Sequence, residues 1–508
     1  MTTFRQELVS HLGLRTTVCL LLITGLGIAV QRLYFHRLSR FPGPRLAAAT
    51  WWYMTYYEVW LNGGLVEHLE VLHAKYGPVV RIGPNQLHFS AIEAYNDIYL
   101  HGHRFTKDPK FYGPLHQDDS LLCLIDLREV KTRREILGPL FSRRAILKLE
   151  HVVQSKVNAL LNELYKYAET GRPANMRRAL RSTAIELIYA YCFATNEPFI
   201  SAPGFSHKFV VESEMTFKVF HWVVHFAWVY PLLILSTHVA AWVRPSDNEA
   251  RIMDSYFRLR SKIDELVAHP ETVEKEEHET VFHHLLRPHP EKGQPEVPSK
   301  KVLWEEAVDL IAAGGETVST VATFGLFYVL NDPAVHKRLV LELQSAWPDP
   351  EAKMGYEALE KLPYLTAVIK ESLRLAHGVV TPAPRVVSPR DRSIAGFDVP
   401  AGTIVAMGAM FVHFNPDVFP RPREFVPERW LESKGGLEKH LVAFSKGPRA
   451  CIGMNLGWCE LYLLFGYLFR KLDMELYDTT AEDMKYRCKF TAVFEGKMLH
   501  CKVKVREG

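Results

Sequence analysis

At 508 residues, with 48% hydrophobic and 23% charged side chains, the chain can bury a large core and exceeds the usual length of one domain. A formal net charge of +4 is too small to argue for nucleic acid as a partner. Seven cysteines (19, 123, 192, 451, 459, 488 and 501) are odd in number and irregularly spaced, with no Cys-x-x-Cys pair. That speaks against a disulfide framework or a zinc module and fits a reducing compartment.

In chain order, the first departure from a soluble composition is Thr16–Val30, uncharged and mostly apolar, continued past Arg32 by Leu33, Tyr34 and Phe35. A bilayer asks for about 20 residues. Arg15 and Arg32 can snorkel, and the thin bilayer of the endoplasmic reticulum lowers the demand. A signal peptide has a similar apolar length, but no small-x-small site follows, and Arg32, His36, Arg37, Arg40 and Arg45 do. The expectation is a lead over 1–15 and a retained single-pass anchor over 16–35, with the positive-inside rule leaving the rest in the cytosol. Residues 36–50 form a basic, proline-rich hinge containing Phe41-Pro-Gly-Pro44, and 51–508 form the main domain.

Apolar spacing predicts helices over His151–Tyr167, Lys301–Leu330, Tyr364–Ala376 and Leu456–Leu472. Strand signals cluster at Val79–Ile82, Gln86–Phe89, Asp398–Val405 and near Phe490–Val505. Polar, proline-punctuated Glu274–Lys300 reads as a surface loop. Lys218–Val243 is long and apolar, with Trp222, Trp228 and Trp242. Pro231 and His221, His225 and His238 argue for a membrane-dipping segment rather than a second span. The fold class is mainly α, an α-rich α+β arrangement with small sheets.

Two constellations carry chemistry. In Phe444-Ser-Lys-Gly447-Pro-Arg449-Ala-Cys451-Ile-Gly453 a lone cysteine sits between glycines. Glycine permits positive φ and close approach to a flat ligand, and backbone N–H groups aimed at the sulfur hold it as a thiolate. Thiolate against a planar cofactor is how haem iron is ligated for O–O cleavage. Cys123, Cys192 and Cys459 read instead as inert core. The second is Ala313-Gly314-Gly315-Glu316-Thr317 inside a long helix. Two interior glycines cost roughly 1 kcal/mol each and need a reason, such as close approach of a flat ligand and a local opening of the helix lined by acid and hydroxyl. Glu371 and Arg374 share a helix face at i, i+3 among apolar neighbours, with Arg429 in Pro427-Glu-Arg-Trp430 downstream.

The Gly-Gly-Glu-Thr helix, the Glu371–Arg374–Arg429 set and the cysteine loop, in that order along the chain, resemble the cytochrome P450 family over nearly the whole chain. The resemblance implies a helix-rich prism, a haem b cofactor and Cys451 as the axial ligand of its iron. It makes Thr317 the proton donor to bound dioxygen, Glu316 its resupply, and Glu371, Arg374 and Arg429 an architectural triad. It places Phe444, Gly447, Gly453, Ala313 and Gly314 against the cofactor and gives its propionates to Arg449, Arg385 and Arg134. The usual histidine or tryptophan four residues before Arg134 is Val130 here. By position in the family, Phe111–Leu124, Phe217–Trp228, Thr491–Phe494, Leu310, Ile311 and Val379–Pro382 face the substrate, the lid among them touching the membrane. Lys131, Arg133, Arg143, Arg144 and Lys446 fall on the cysteine side, where an acidic redox partner docks.

The implied function is insertion of one oxygen atom from O2 into a lipophilic molecule. Electrons come from NADPH through a separate reductase, since no nicotinamide or flavin fingerprint is present. Leu38–Thr50, His73–Pro84, Tyr95–Tyr99 and Lys107–Tyr112 look like fungal secondary-metabolite enzymes of the trichodiene-oxygenase type, which points to a terpenoid or other polycyclic substrate. The alternatives are a haem-thiolate isomerase or dehydratase without O2 activation and a non-catalytic membrane haem protein.

Overall fold

The computed structural model describes residues 2–100, 104–193, 195, 197–243, 254–274, 278–433 and 435–506. They form two compact units, Met1–Ile98 with Ala383–Met407, and Tyr99–Pro382 with Gly408–Gly508.

In the first unit, α1 (Thr2–Val30) runs into one π-helical turn, Gln31–Phe35. Thr16–Phe35 is a 20-residue apolar stretch with none of its hydropathy window buried. The basic residues after it do more than carry charge. Arg32 Nη1 donates to Ala49 O (2.8 Å), Arg37 Nη1 to Ala401 O (2.5 Å) and Arg40 Nη2 to Asp398 O, while Arg81 Nη1 donates to Arg32 O (3.0 Å). The expected hinge is a docked segment: Arg81 N–H donates to Pro42 O at 2.7 Å, and a Cβ on Gly43 would run into the Arg81 carbonyl.

That segment lies on a small sheet. Val79–Gly83 pairs antiparallel with Gln86–Phe89, which pairs parallel with Ile404–Ala406, itself antiparallel to Arg385–Val386. Every residue of the first two strands is buried, the polar Arg81, Gln86 and His88 included, so both faces of the pair are covered. The single strand expected over Asp398–Val405 is two strands: Phe397–Val399, in a hairpin with Arg392–Ile394, and Ile404–Ala406. Pro400 has no ladder N–H and Gly402 turns at φ +78°, which divides them.

The second unit is mostly helix: α2 (Leu127–Leu137), α3 (Glu150–Thr170), α4 (Met176–Phe193), α5 (Lys208–Lys218), α6 (Phe220–His225), α7 (Val229–Val243), α8 (Lys300–Asn331), α9 (Pro363–Ala376) and α10 (Met454–Lys471). The four helices read from spacing are α3, α8, α9 and α10. Shorter elements escaped that reading. Within the stretch taken for a surface loop, of which 275–277 lie outside the described residues, Thr280 caps a buried turn, Val281–Leu285. Val281, Phe282 and Leu285 are fully buried, and Phe282 packs 4.7 Å from Phe193. Lys218–Val243 is broken between α6 and α7, and the 15 residues of α7 are too few to span a bilayer. Trp222, Trp228, Leu232, Leu235 and Val239 are exposed there; the Trp242 side chain lies outside the described residues.

Helix α8 is the core, packed on α4, α9 and α10. Its glycines explain how closely. A Cβ on Gly314 would meet Ile188 Cγ1 at 2.8 Å, one on Gly315 would meet Ile185 Cγ1 at 2.6 Å, and one on Gly325 would overlap Phe465 and Ser372. The Gly-Gly pair is therefore a helix–helix contact with α4, not an approach to a flat ligand, and the helix runs through it unbroken. Gly325→Ala should lower stability by roughly 1–3 kcal/mol despite alanine's better helix propensity, because the added methyl overpacks the α8–α10 seam. Denaturant unfolding measures it.

Candidate functional site

Cys451 opens the turn into α10, whose N-cap is Gly453. The Gly453 N–H points at the sulfur, and Arg134 is the nearest cation; both favour the thiolate, although burial pushes the thiol's pKa up overall. Cys123, Cys192, Cys459, Cys488 and Cys501 are buried, whereas Cys451 is exposed. An exposed sulfur that is still desolvated lines an internal recess. The loop closes on itself through Cys451 N–H to Phe444 O (2.9 Å), with the Phe444 ring against Gly457 and Trp458. Gly447 has φ +74°, and a Cβ there would collide with the Tyr99 carbonyl, so no other residue fits.

Helix α8 reaches the same loop, for a Cβ on Gly457 would meet both Phe444 and Val318 of α8. Ala312 and Ala313 are exposed in the middle of a helix buried on either side, and Thr317, one turn on, is half-buried with its Oγ1 donating to Ala313 O at 2.8 Å. Glu316 points elsewhere. It is 2% exposed, accepts from Arg181 Nη1 of α4 through Oε2, and takes a longer bond from Thr320 Oγ1 (3.4 Å) through Oε1. Burial brings Arg181 down to about 10, so it stays a cation at neutral pH, and it also donates to Ser213 Oγ at 3.2 Å.

Glu371, Arg374 and Arg429 meet in the core. The Glu371 carboxylate accepts from Arg374 Nε (2.9 Å) and Nη2 (2.7 Å), Arg429 Nε (3.1 Å), Trp430 Nε1 (2.9 Å) and the Val426 N–H (2.9 Å). Arg374 spends its remaining donors on the carbonyls of His413 (2.9 Å), Glu424 (2.9 Å) and Pro422. Sequence reading missed His413, whose ring Nε2 accepts the Val442 N–H at 2.8 Å, two residues before Phe444.

Arg134 Nη1 donates to Ala450 O (3.0 Å), beside the cysteine, and Arg449 Nη2 reaches Ile125 O at 3.4 Å. Arg385 is buried on its strand in the first unit, with Nη1 on Pro384 O at 3.0 Å. Two of the segments expected to face substrate meet, with Phe220 5.9 Å from Phe111, and Phe490, just before the Thr491–Phe494 segment, lies 5.2 Å from Phe220. Phe490, at φ +69°, is bonded to Val380 N–H (2.8 Å) and Thr381 Oγ1 (2.9 Å). Phe494, half-buried, packs its ring 5.2 Å from that of buried Phe324.

An acidic row on α8 also went unread. Glu305, Glu306 and Asp309 accept the N–H groups of Asp119 (2.8 Å), Leu121 (2.9 Å) and Leu122 (3.2 Å), which pins the 117–124 loop to the helix. Burial raises Glu306 to about 7 and Asp309 to about 8. Arg133, grouped by sequence with the basic docking residues, is instead buried on Glu306 at 2.5 Å. Lys131, Arg143 and Arg144 remain exposed. The only sequence signal for the row was three acids at helical spacing before an apolar stretch, which reads equally well as a solvated face.

Residues 42–498 match the family model described as Cytochrome P450. The chain belongs to the cytochrome P450 family. A P450 monooxygenase of Sordaria araneosa is 34% identical over 494 residues, covering 94% of this chain and 95% of its own. One of Aspergillus thermomutatus is 35% identical over 473 residues (92% and 88%), and a tryptophan 6-hydroxylase of Fusarium equiseti is 33% identical over 461 residues (89% of each). This P450 is accordingly a haem-dependent oxidoreductase supplied with electrons by a redox partner.

The residues present fit a haem. The recess is lined by a sulfur with an N–H donor, a guanidinium stands beside it, and α8 carries an exposed alanine pair one turn from the Thr317 hydroxyl. Glu371→Gln should cost about 3–5 kcal/mol, since it leaves two buried guanidinium groups without their counter-ion. Urea unfolding of the haem-loaded protein checks it, with the steeper loss expected here than for Gly325→Ala.

Proposed function

We propose that this P450 inserts one oxygen atom of O2 into a lipophilic secondary metabolite, a terpenoid or related polycycle, with Cys451 as the iron's axial ligand. The observation that carries the reading is Cys451, the one body cysteine among the described residues that is both exposed and desolvated. When bound, the haem supplies the iron at which O2 is activated and from which oxygen reaches the substrate. Arg134 and Arg449 supply cations for its propionates. Phe444, Gly447 and Gly453 form its thiolate side, and Ala313 with Thr317 forms the other.

Thr317 holds the proton to be delivered. Its hydroxyl sits on the open face of α8 and rests on the Ala313 carbonyl, so a small rotation redirects it into the recess. Glu316 resupplies that proton only after leaving Arg181, because a carboxylate paired with a buried cation holds no proton to give. Phe111, Phe220 and Phe490 offer rings to an apolar substrate, and shape rather than charge selects it.

The apolar Thr16–Phe35 helix anchors the protein in the endoplasmic reticulum with its folded units in the cytosol, and the exposed Trp222 and Trp228 dip into the same membrane. Electrons arrive from NADPH through a separate reductase, which meets exposed Lys131, Arg143 and Arg144.

The test is the reduced, carbon-monoxide difference spectrum of the wild type beside Cys451→Ala. A red-shifted Soret band in the wild type alone is the expected result, and its absence from a haem-loaded wild type would remove Cys451 as the ligand. Thr317→Val should keep that band while product formed per electron pair falls by about 10²-fold, as for loss of a general acid. Turnover is assayed with a panel of terpenoids and, given the tryptophan hydroxylase among the relatives, indoles.

A further inference from the structure

We infer that His377 and His413 form a tautomer-locked relay joining the Glu371–Arg374–Arg429 cluster to the cysteine loop, with His413 a positioning residue for Cys451. The inference rests on Cys451 being the iron's ligand.

His413 is gripped twice. Its carbonyl accepts from Arg374 Nη1 at 2.9 Å, and its ring Nε2 lies 2.8 Å from the Val442 nitrogen. An amide N–H only donates, so Nε2 carries a lone pair and the ring's proton is on Nδ1. That Nδ1–H faces Nδ1 of His377 at 3.0 Å, with the two rings inclined by 19°. His377 must therefore accept there and carry its own proton on Nε2. Both rings are buried, and burial together with Arg374 keeps them neutral, His377 down to about 3 with Arg423 adding to it, and His413 well below the usual histidine value. His377 Nε2 meets no hydrogen-bond partner among the described residues. An apolar ring at 377 would avoid that burial penalty, so the imidazole is explained by what its other nitrogen does: it accepts the His413 proton and thereby fixes which nitrogen faces Val442.

The consequence reaches the sulfur in three steps. Val442 O accepts the Ser445 N–H (2.9 Å), which holds Ser445 at φ +58°. Phe444, between them, accepts the Cys451 N–H at 2.9 Å. Gly378, next to His377, lies under the same entry, where a Cβ would come within 2.9 Å of Ala443 O. With the other tautomer, His413 would turn an N–H toward the Val442 N–H, and the loop entry would be pushed off the cluster that supports it.

The test compares haem-loaded wild type, His377→Phe and His377→Asn by hydrogen–deuterium exchange at Val442 and by the carbon-monoxide difference spectrum. In His377→Phe the Val442 amide should exchange roughly tenfold faster, the factor that one lost hydrogen bond of about 1.4 kcal/mol gives. Part of the red-shifted Soret band should move to the position of haem without thiolate. His377→Asn, whose Oδ1 accepts the His413 proton, should restore both. Equal behaviour of the two variants, whether both intact or both impaired, overturns the relay, since a packing role does not distinguish an acceptor from its absence. If the wild type lacks the thiolate band, Cys451 fails as ligand while the exchange at Val442 still decides the relay.

Discussion

The second unit depends on holding one carboxylate in the core. Glu371 is fully buried, and a lone buried charge would be driven to protonate. Five donors from α9 and from 426–430 surround it instead, and the arginines that supply three of them are themselves bound to carbonyls of 413–424. Such a cluster adds little stability compared with an apolar core. What it provides is definition: each donor has one place, so a long irregular segment without helix or sheet to order it still has a single conformation. The entry to the cysteine loop hangs from that segment through His413.

The long helix α8 divides labour by angle. Successive residues are turned by about 100°, so Ala313 and Thr317 share a stripe while Gly314, Gly315 and Glu316 face other ways. The stripe with Ala313 and Thr317 is the open one; the glycines let α4 approach; the acid lies in an ion pair with that same helix. Five adjacent letters of sequence thus belong to two surfaces. One turn earlier, Asp309 and the two glutamates before it hold the 117–124 loop, so the open stripe and that loop are braced by one helix.

Much of the site was legible because its parts are local. A cysteine between glycines, an acid and arginine at i, i+3, and helices with apolar stripes are short-range patterns whose physical demands show in a few residues. The errors have a common cause. Arg133 is basic and looked exposed, Phe494 is aromatic and looked available, and the two glycines looked made for a ligand. Each was decided by a partner far along the chain: Glu306, Phe324, and Ile185 with Ile188. His377 and His413 carried no signal at all, for a histidine in an apolar stretch is unremarkable until its neighbours are known.

The sequence by itself determined the main-α class, the positions of the principal helices, the apolar N-terminal run and the residue types of the thiolate loop and charge triad, because periodicity and local spacing encode them. Only the tertiary structure decided which face each residue takes, which charges are buried, which cysteine is both reachable and desolvated, and how the triad reaches the loop. Those properties are sums over contacts between segments tens to hundreds of residues apart, and no local pattern records them.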